Sequence, residues 1–186
     1  MRKVKQNIFL VGPMGSGKTS IGKKLAKILN LDFYDCDHEL ELITGASVNL
    51  IFDVEGEAGF RLRERQMLEK LCAKDNVLIA TGGGVVCSAD NRRTLRTNGF
   101  VVYLKTSVGK QLNRLSQDKS RPLLQAEDRT ERLVNLAKVR NPLYDDIADL
   151  VFKTRNSSVH ASARALSDAI LEKLDSSQPE TLSADR

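Results

Sequence analysis

Tryptophan is absent from this chain and histidine is nearly so, with only His38 and His160. Without Trp, and with no basic run interleaved with aromatics, the stacking platforms of nucleic-acid binders have no material. Two scattered histidines do not make a metal centre. Cys36, Cys72 and Cys87 form no C-x-x-C pair, so reduced thiols are expected rather than a zinc site or a disulfide framework. Long apolar runs are missing too. Ile8–Val11 is too short for a signal-peptide core or a membrane span, even behind the basic Met1–Gln6, and Val77–Ala80 and Phe100–Leu104 are strand-sized. The expectation is a cytoplasmic protein with neither nucleic-acid nor membrane partners. Neither sign of charge dominates: 29 basic against 24 acidic side chains leave a net +5. The charges are mixed along the chain as on a solvated surface, and a mild positive excess also suits an enzyme with two anionic substrates.

What is present is enough for one compact domain. At 186 residues and 41% hydrophobic, the chain can bury a full core. The expected domain spans residues 1–175. The polar stretch 176–186, with Pro179 and no apolar periodicity, reads as a disordered tail. Short apolar runs at Ile8–Val11, Phe33–Asp35, Val77–Thr81, Phe100–Leu104 and Leu150–Lys153 predict strands. Between them lie helical patterns at roughly 18–29, 57–74, 89–97, 107–116, 130–139 and 159–174. This alternation predicts an α/β fold whose parallel sheet is covered on both faces. Residues 117–130 break the pattern. They are polar, charged and interrupted by Pro122, which is the composition of a functional loop.

Gly12-Pro13-Met14-Gly15-Ser16-Gly17-Lys18-Thr19 is a complete G-x-x-x-x-G-K-[ST] phosphate loop. A predicted strand precedes it and an amphipathic stretch with Ile21, Leu25, Ile28 and Leu29 follows, which is the context the motif requires. Its glycines allow backbone N–H groups to turn towards phosphate oxygens, and the helix N-terminus favours the same anion. Lys18 is placed to reach the β- and γ-phosphates of a nucleotide, and Thr19 to offer its hydroxyl to Mg²⁺.

Two further absences narrow the class. No N-K-x-D segment is present to read guanine. The strand Val77–Ala80 runs into Thr81-Gly82-Gly83-Gly84 rather than into the aspartate by which motor and pump ATPases hold Mg²⁺. The acid is instead found at Asp35 and Asp37. If the chain stays extended there, both carboxylates face one side and Cys36, as a packing thiol, the other. Phe52-x-x-x-Gly56-Glu57-x-x-Phe60-Arg61 places aromatics around an arginine, and Glu64, one helical turn on, can hold its guanidinium. Arg121-Pro122-Leu123-Leu124 and Arg140-Asn141-Pro142-Leu143-Tyr144 follow. Taken singly, each feature has a plainer meaning. Asp35 and Asp37 fit a turn and an N-cap for Glu39–Leu42, and Arg61 a solvated helix charge. Arg140 could answer the carbonyl end of its helix, and the glycines could be a simple turn.

In this order behind a phosphate loop, the motifs resemble those of the shikimate kinases over about residues 7–154. The resemblance implies a three-layer P-loop fold, with a five-stranded parallel sheet flanked by helices, similar to nucleoside-monophosphate kinases and carrying a lid at about 117–130. It implies transfer of the ATP γ-phosphate to the 3-hydroxyl of shikimate in aromatic amino-acid biosynthesis, with Mg²⁺ as cofactor and the protein a monomer. Carried over by position, Gly15, Ser16, Gly17, Lys18, Thr19 and Ser20 would wrap the phosphates. Thr19 would hold Mg²⁺ and Asp35 would support it through water. Asp37 would bind the shikimate hydroxyls, and Arg61 and Arg140 the carboxylate, with the Gly83 N–H nearby. Arg121 would reach the ATP phosphates from the lid, so Lys18, Asp37 and Arg121 carry the catalytic roles. The residue chemistry agrees, since a planar guanidinium suits a carboxylate and a carboxylate at the acceptor hydroxyl can orient it or take its proton. Cys36 departs from the small hydroxyl residue common at that place. Competing readings are a kinase for gluconate or a nucleoside monophosphate, and a non-catalytic nucleotide-binding protein.

Overall fold

Strands β1 (Asn7–Val11), β2 (Asp32–Asp35), β3 (Val77–Ala80), β4 (Gly99–Lys105) and β5 (Leu150–Lys153) form one sheet in the order β2-β3-β1-β4-β5. Every pairing is parallel, and Leu10 at the centre is in register with Ala80 on one side and Val102 on the other. The computed structural model describes residues 4, 6–115, 128–154 and 157–176. The helices are α1 (Lys18–Leu29), α2 (Cys36–Thr44), α3 (Val48–Cys72), α4 (Ala89–Asn98), α5 (Val108–Leu115), α6 (Arg129–Ile147) and α7 (Val159–Ser176), and a 3₁₀ turn covers Val85–Cys87.

All five residues of β1 are buried, as a parallel strand covered on both faces requires. The two-residue period of the strand divides them. Ile8 and Leu10 pack with Leu25 and Leu29 of α1 and Leu166 and Ile170 of α7. Phe9 and Val11 face the opposite cluster, with Leu40, Phe60, Leu68, Leu95 and Ile147. The outcome is the expected three-layer fold. The phosphate loop follows β1, Asp35 ends β2 and Gly82–Gly84 follow β3, so the motifs gather at the carboxyl edge of the sheet where α/β folds bind ligands.

Three local expectations are corrected or extended. The Asp35–Asp37 segment is not extended. The amides of Asp37 and His38 donate to Asp35 Oδ1 at 3.1 and 3.4 Å, so the chain enters α2 directly after Asp35. Gly56 (φ +69°, ψ −176°) is non-helical and divides α3 into two helices: the second, from Glu57, is the one expected, and a further helix precedes it from Val48, capped by Ser47 Oγ through the Leu50 amide. Helix α6 continues through Pro142 to Ile147, well past the expected end near 139. Of the lid expected at about 117–130, residues 117–127, Arg121 included, lie outside the described residues, and Asp128, Arg129 and Thr130 belong to a turn and the start of α6. Residues 177–186 of the expected tail also lie outside them.

Candidate active site

The loop between β1 and α1 needs left-handed backbone at Gly15 (φ +74°) and at Gly17 (φ +95°), the residue before the helix, which glycine adopts without strain. No acidic residue stands in the first turn of α1, so its positive end is left for an anion. Ser16 lies fully buried inside the loop, its Oγ without a hydrogen-bond partner among the described residues. Lys18 Nζ donates to the carbonyls of Gly12 (2.8 Å) and Pro13 (2.9 Å), which holds the ammonium across the loop. Ser20 is exposed on the next position of α1. Arg114, which no motif marks, donates from α5 to the Gly15 carbonyl at 2.8 Å and braces the loop from outside.

Thr19 Oγ1 donates to Asp35 Oδ2 at 2.6 Å. Asp35 therefore does two things: one oxygen caps α2 and the other faces Thr19, so the capping reading and the metal reading are compatible. The pair offers only oxygen donors, the type Mg²⁺ prefers. Among the described residues no group of three His, Cys, Asp or Glu side chains could hold a metal by itself. An ion drawing its other ligands from phosphates and water needs no more than one or two protein oxygens, and Thr19 with Asp35 fits that requirement.

The acceptor side is assembled around Arg61. Its Nη1 donates to Glu64 Oε2 at 2.7 Å and its Nη2 to Glu57 Oε1 at 3.2 Å, while the guanidinium carbon lies 5.3 Å from the Phe60 ring centre. Burial lowers the Arg61 pKa, but Glu64 and Glu57 outweigh it and the net shift is upward. For Glu64 burial itself wins. It lifts the carboxyl above its ordinary range against the opposing pull of Arg61, and Glu64 Oε1 is buried without a hydrogen-bond partner among the described residues. Burial, then the carboxylates of Asp37 and Asp35, push the Cys36 thiol well up, as befits a packing thiol.

The glycine triplet fits this cluster closely. A Cβ on Gly84 would lie 2.4 Å from both terminal nitrogens of Arg61. One on Gly82 would lie 2.6 Å from Glu64 Oε1 and 3.1 Å from Asp37 Oδ1. The chain after β3 can run flat against the Asp37, Arg61 and Glu64 side chains only because these residues lack Cβ atoms. Gly83 faces the other way: a Cβ there would be 3.5 Å from the Met14 amide nitrogen and 3.6 Å from the Gly12 carbonyl oxygen. The triplet is thus the common wall of the phosphate loop and the acceptor cluster.

Arg140 arrives on α6. With Pro13, Met14, Gln111, Leu133 and Tyr144 it lines a cleft against the phosphate loop, and its charge acts on both Glu64 and Tyr144. Since α6 runs on to Ile147, Arg140 is not at a carbonyl end, and the capping explanation for it fails. Tyr144, named in the motif but given no role there, is fully buried and donates its hydroxyl to the Gly83 carbonyl. Among the described residues, then, the structure brings Gly15, Ser16, Gly17, Lys18, Thr19, Asp35, Asp37, Arg61, Gly83 and Arg140 to one edge of the sheet. Chemically, an anion site at a helix N-terminus stands beside two guanidinium groups and a carboxylate, which is an arrangement for moving a phosphoryl group onto a hydroxylated acid.

Comparison with known proteins points the same way. A family model described as shikimate kinase matches residues 14–174. The shikimate kinase of Shewanella sp. (strain MR-4) is 52% identical over 170 residues, which are 91% of this chain and 97% of that relative. The structure of a shikimate kinase from Acinetobacter baumannii in complex with shikimate aligns with a TM-score of 0.88 at 44% identity, covering 91% of this chain and 95% of that one. A shikimate kinase from Bacteroides thetaiotaomicron aligns with a TM-score of 0.83 at 32% identity, covering 90% and 99% of the two chains. No helix among the described residues is long and apolar enough to cross a membrane.

Proposed function

The chain belongs to the shikimate kinase family, and on that premise we propose how its residues divide the reaction. The protein is an ATP-dependent kinase that transfers the γ-phosphate to the 3-hydroxyl of shikimate, a step of aromatic amino-acid biosynthesis. The residue roles and the Mg²⁺ requirement are our reading.

The backbone of Gly15–Lys18 and the N-terminus of α1 receive the phosphates, with Ser20 at the same helix end. Lys18 swings its ammonium from the loop carbonyls to the phosphoryl oxygens and stabilises their charge during transfer. Thr19 would hold Mg²⁺, with Asp35 supporting it through water, and the bound ion would neutralise phosphate charge. Arg61 and Arg140 grip the shikimate carboxylate, and the Gly83 N–H donates to it. Asp37 orients the 3-hydroxyl and takes its proton as the phosphoryl group arrives. Arg121 is assigned to the ATP phosphates on the sequence motif alone. We further propose a cytoplasmic monomer without nucleic-acid or membrane partners, in keeping with the mixed charge, the absence of tryptophan and the lack of a basic run interleaved with aromatics.

The observation that supports this division best is the shared glycine wall, with Arg61 on Gly84, Asp37 and Glu64 on Gly82, and the phosphate loop on Gly83. It leaves no side chain of the triplet between the phosphate loop and the acceptor cluster. A coupled ADP-release assay tests the reading. ADP should form with Mg²⁺, ATP and shikimate together, and not when gluconate or a nucleoside monophosphate replaces shikimate or when Mg²⁺ is chelated. Equal turnover with gluconate, or undiminished turnover without Mg²⁺, would refute it.

A further inference from the structure

Each carbonyl of the glycine triplet is held, but not in the same way. The Gly82 oxygen accepts from the Val85 amide at 3.3 Å and the Gly84 oxygen from the Cys87 amide at 3.0 Å, both within the local turn. The Gly83 oxygen is held from a distant element, by the hydroxyl of Tyr144 on α6. Glycine itself sets no preferred peptide orientation, so the plane on which Gly83 stands depends on what bonds to it.

Tyr144 is well suited to fix that plane. Its side chain is fully buried and stacks on Tyr103 of β4 with ring centres 4.9 Å apart. The turn of α6 that carries it is pinned to β4 twice more, by Tyr103 Oη donating to Asn141 Oδ1 at 3.1 Å and by Lys105 Nζ meeting Asp145 Oδ2 at 2.9 Å. Arg140 stands one helical turn before Tyr144 on the same helix. One rigid segment therefore carries a guanidinium for the acceptor and also grips the carbonyl side of Gly83, the residue whose N–H lies on the adjoining Gly82–Gly83 peptide.

We infer that Tyr144 is a positioning residue for the acceptor: by holding the Gly83 carbonyl, its hydroxyl fixes the place of Gly83 relative to Arg140, so that Arg140 and the Gly83 N–H, which lies on the preceding peptide held through the Gly82 oxygen by the Val85 amide, meet one carboxylate. The inference rests on the reading above, in which Gly83 and Arg140 receive that carboxylate. Tyr144 touches neither substrate nor the reacting atoms. Its effect falls on acceptor affinity and leaves the chemical step alone.

Tyr144→Phe keeps the ring and its stack on Tyr103 and removes only the hydroxyl, and near-ultraviolet circular dichroism checks that the packing survives. Tyr103→Phe is the control, since it removes a hydroxyl from the same tyrosine pair without touching the glycine triplet. Loss of one buried hydrogen bond should raise the shikimate KM of Tyr144→Phe about five- to tenfold, while kcat and the ATP KM stay within about twofold. Tyr103→Phe should leave all three within about twofold while losing a similar amount of thermal stability. An unchanged shikimate KM in Tyr144→Phe overturns the inference, as does an equal rise in Tyr103→Phe or a parallel rise in the ATP KM. Arg140→Lys run beside them separates the two levels. If it raises the shikimate KM while Tyr144→Phe does not, the positioning role alone falls. If neither does, the carboxylate reading falls with it.

Discussion

The phosphate wall of this site is built chiefly from one continuous stretch, Gly12–Thr19, closed on itself by Lys18 bonding to carbonyls five and six residues back and joined from outside by Asp35 at Thr19 and Arg114 at Gly15. The acceptor wall takes Asp37 from α2, Arg61 and Glu64 from α3, the glycines from the turn after β3, and Arg140 and Tyr144 from α6. The first is local and made largely of backbone. The second exists only when α2, α3, α6 and the turn after β3 are packed together on one face of the sheet. It follows that side-chain changes in the loop should damage transfer to any acceptor, whereas changes in the acceptor wall should act on shikimate and leave ATP alone.

The largest expected effects break that comparison from either side. Asp37→Asn keeps the shape but cannot accept a proton, and kcat should fall by about 10²–10⁴ while the ATP KM holds within about twofold. Lys18→Ala removes the cation at the phosphoryl group, and kcat should fall by about 10²–10³ with a weakened ATP KM as well. Steady-state kinetics in both substrates checks the pair. If Asp37→Asn loses ATP binding to the same degree, Asp37 belongs to the phosphate wall instead. If Lys18→Ala keeps more than about a tenth of kcat, its assignment fails.

Gly84→Ala comes next. The added methyl would meet Arg61 at 2.4 Å, closer than any ordinary contact, so the guanidinium must move. Overpacking of this kind destabilises by about 1–3 kcal/mol, and the shikimate KM should rise while the ATP KM does not. Thermal melts with two-substrate kinetics would expose the error if both stability and KM are unaffected. Asp35→Ala is expected to be milder in stability and distinct in kind. Loss of the α2 cap should cost about 0.5–2 kcal/mol, and the Mg²⁺ concentration for half-maximal activity should rise because Thr19 loses its carboxylate partner. A destabilised variant with an unchanged Mg²⁺ requirement would reduce Asp35 to a cap.

The smallest effect is a pH dependence. Burial raises the Glu64 carboxyl above its ordinary 4.5 in the folded protein. A raised folded value means that the proton is held more tightly folded than unfolded. The stabilising contribution is thus complete below the ordinary value and is lost as pH rises through the folded one. The wild type should therefore lose stability relative to Glu64→Gln between about pH 4 and about pH 7. Denaturant melts of the two proteins at both pH values would show a constant difference if Glu64 were an ordinary surface acid.

The contrast between the walls also governs what could be read from the residues alone. The strand, loop and helix around Gly12–Thr19 are adjacent in sequence, so period and motif locate them together. Asp35–Asp37 admits two readings, an extension of Phe33–Tyr34 or an N-cap of the next helix, and the structure takes the second. The signal was there: a capping aspartate followed by acidic Asp37 and Glu39 in the first turn. The helical pattern ends near 139, ahead of Pro142. The proline removes one helical hydrogen bond, but the contacts of Asn141, Tyr144 and Asp145 with β4 and Gly83 carry the helix past it. The i, i+3 spacing of Arg61 and Glu64 did foretell their ion pair. The roles of Gly84, Arg114 and Tyr144 were not foretold, because each depends on a contact with residues far along the chain that no local pattern encodes.

The separation of the two walls is tested most directly by Arg61→Lys, measured as the KM for shikimate and the KM for ATP in one preparation. The substitution retains the charge and loses the fork that grips a carboxylate and meets Glu64 and Glu57. The expected result is a shikimate KM raised about tenfold or more, a charge-assisted bidentate contact being worth at least that, with the ATP KM unchanged within about twofold. Equal shifts in both constants, or an unchanged shikimate KM, would contradict the account.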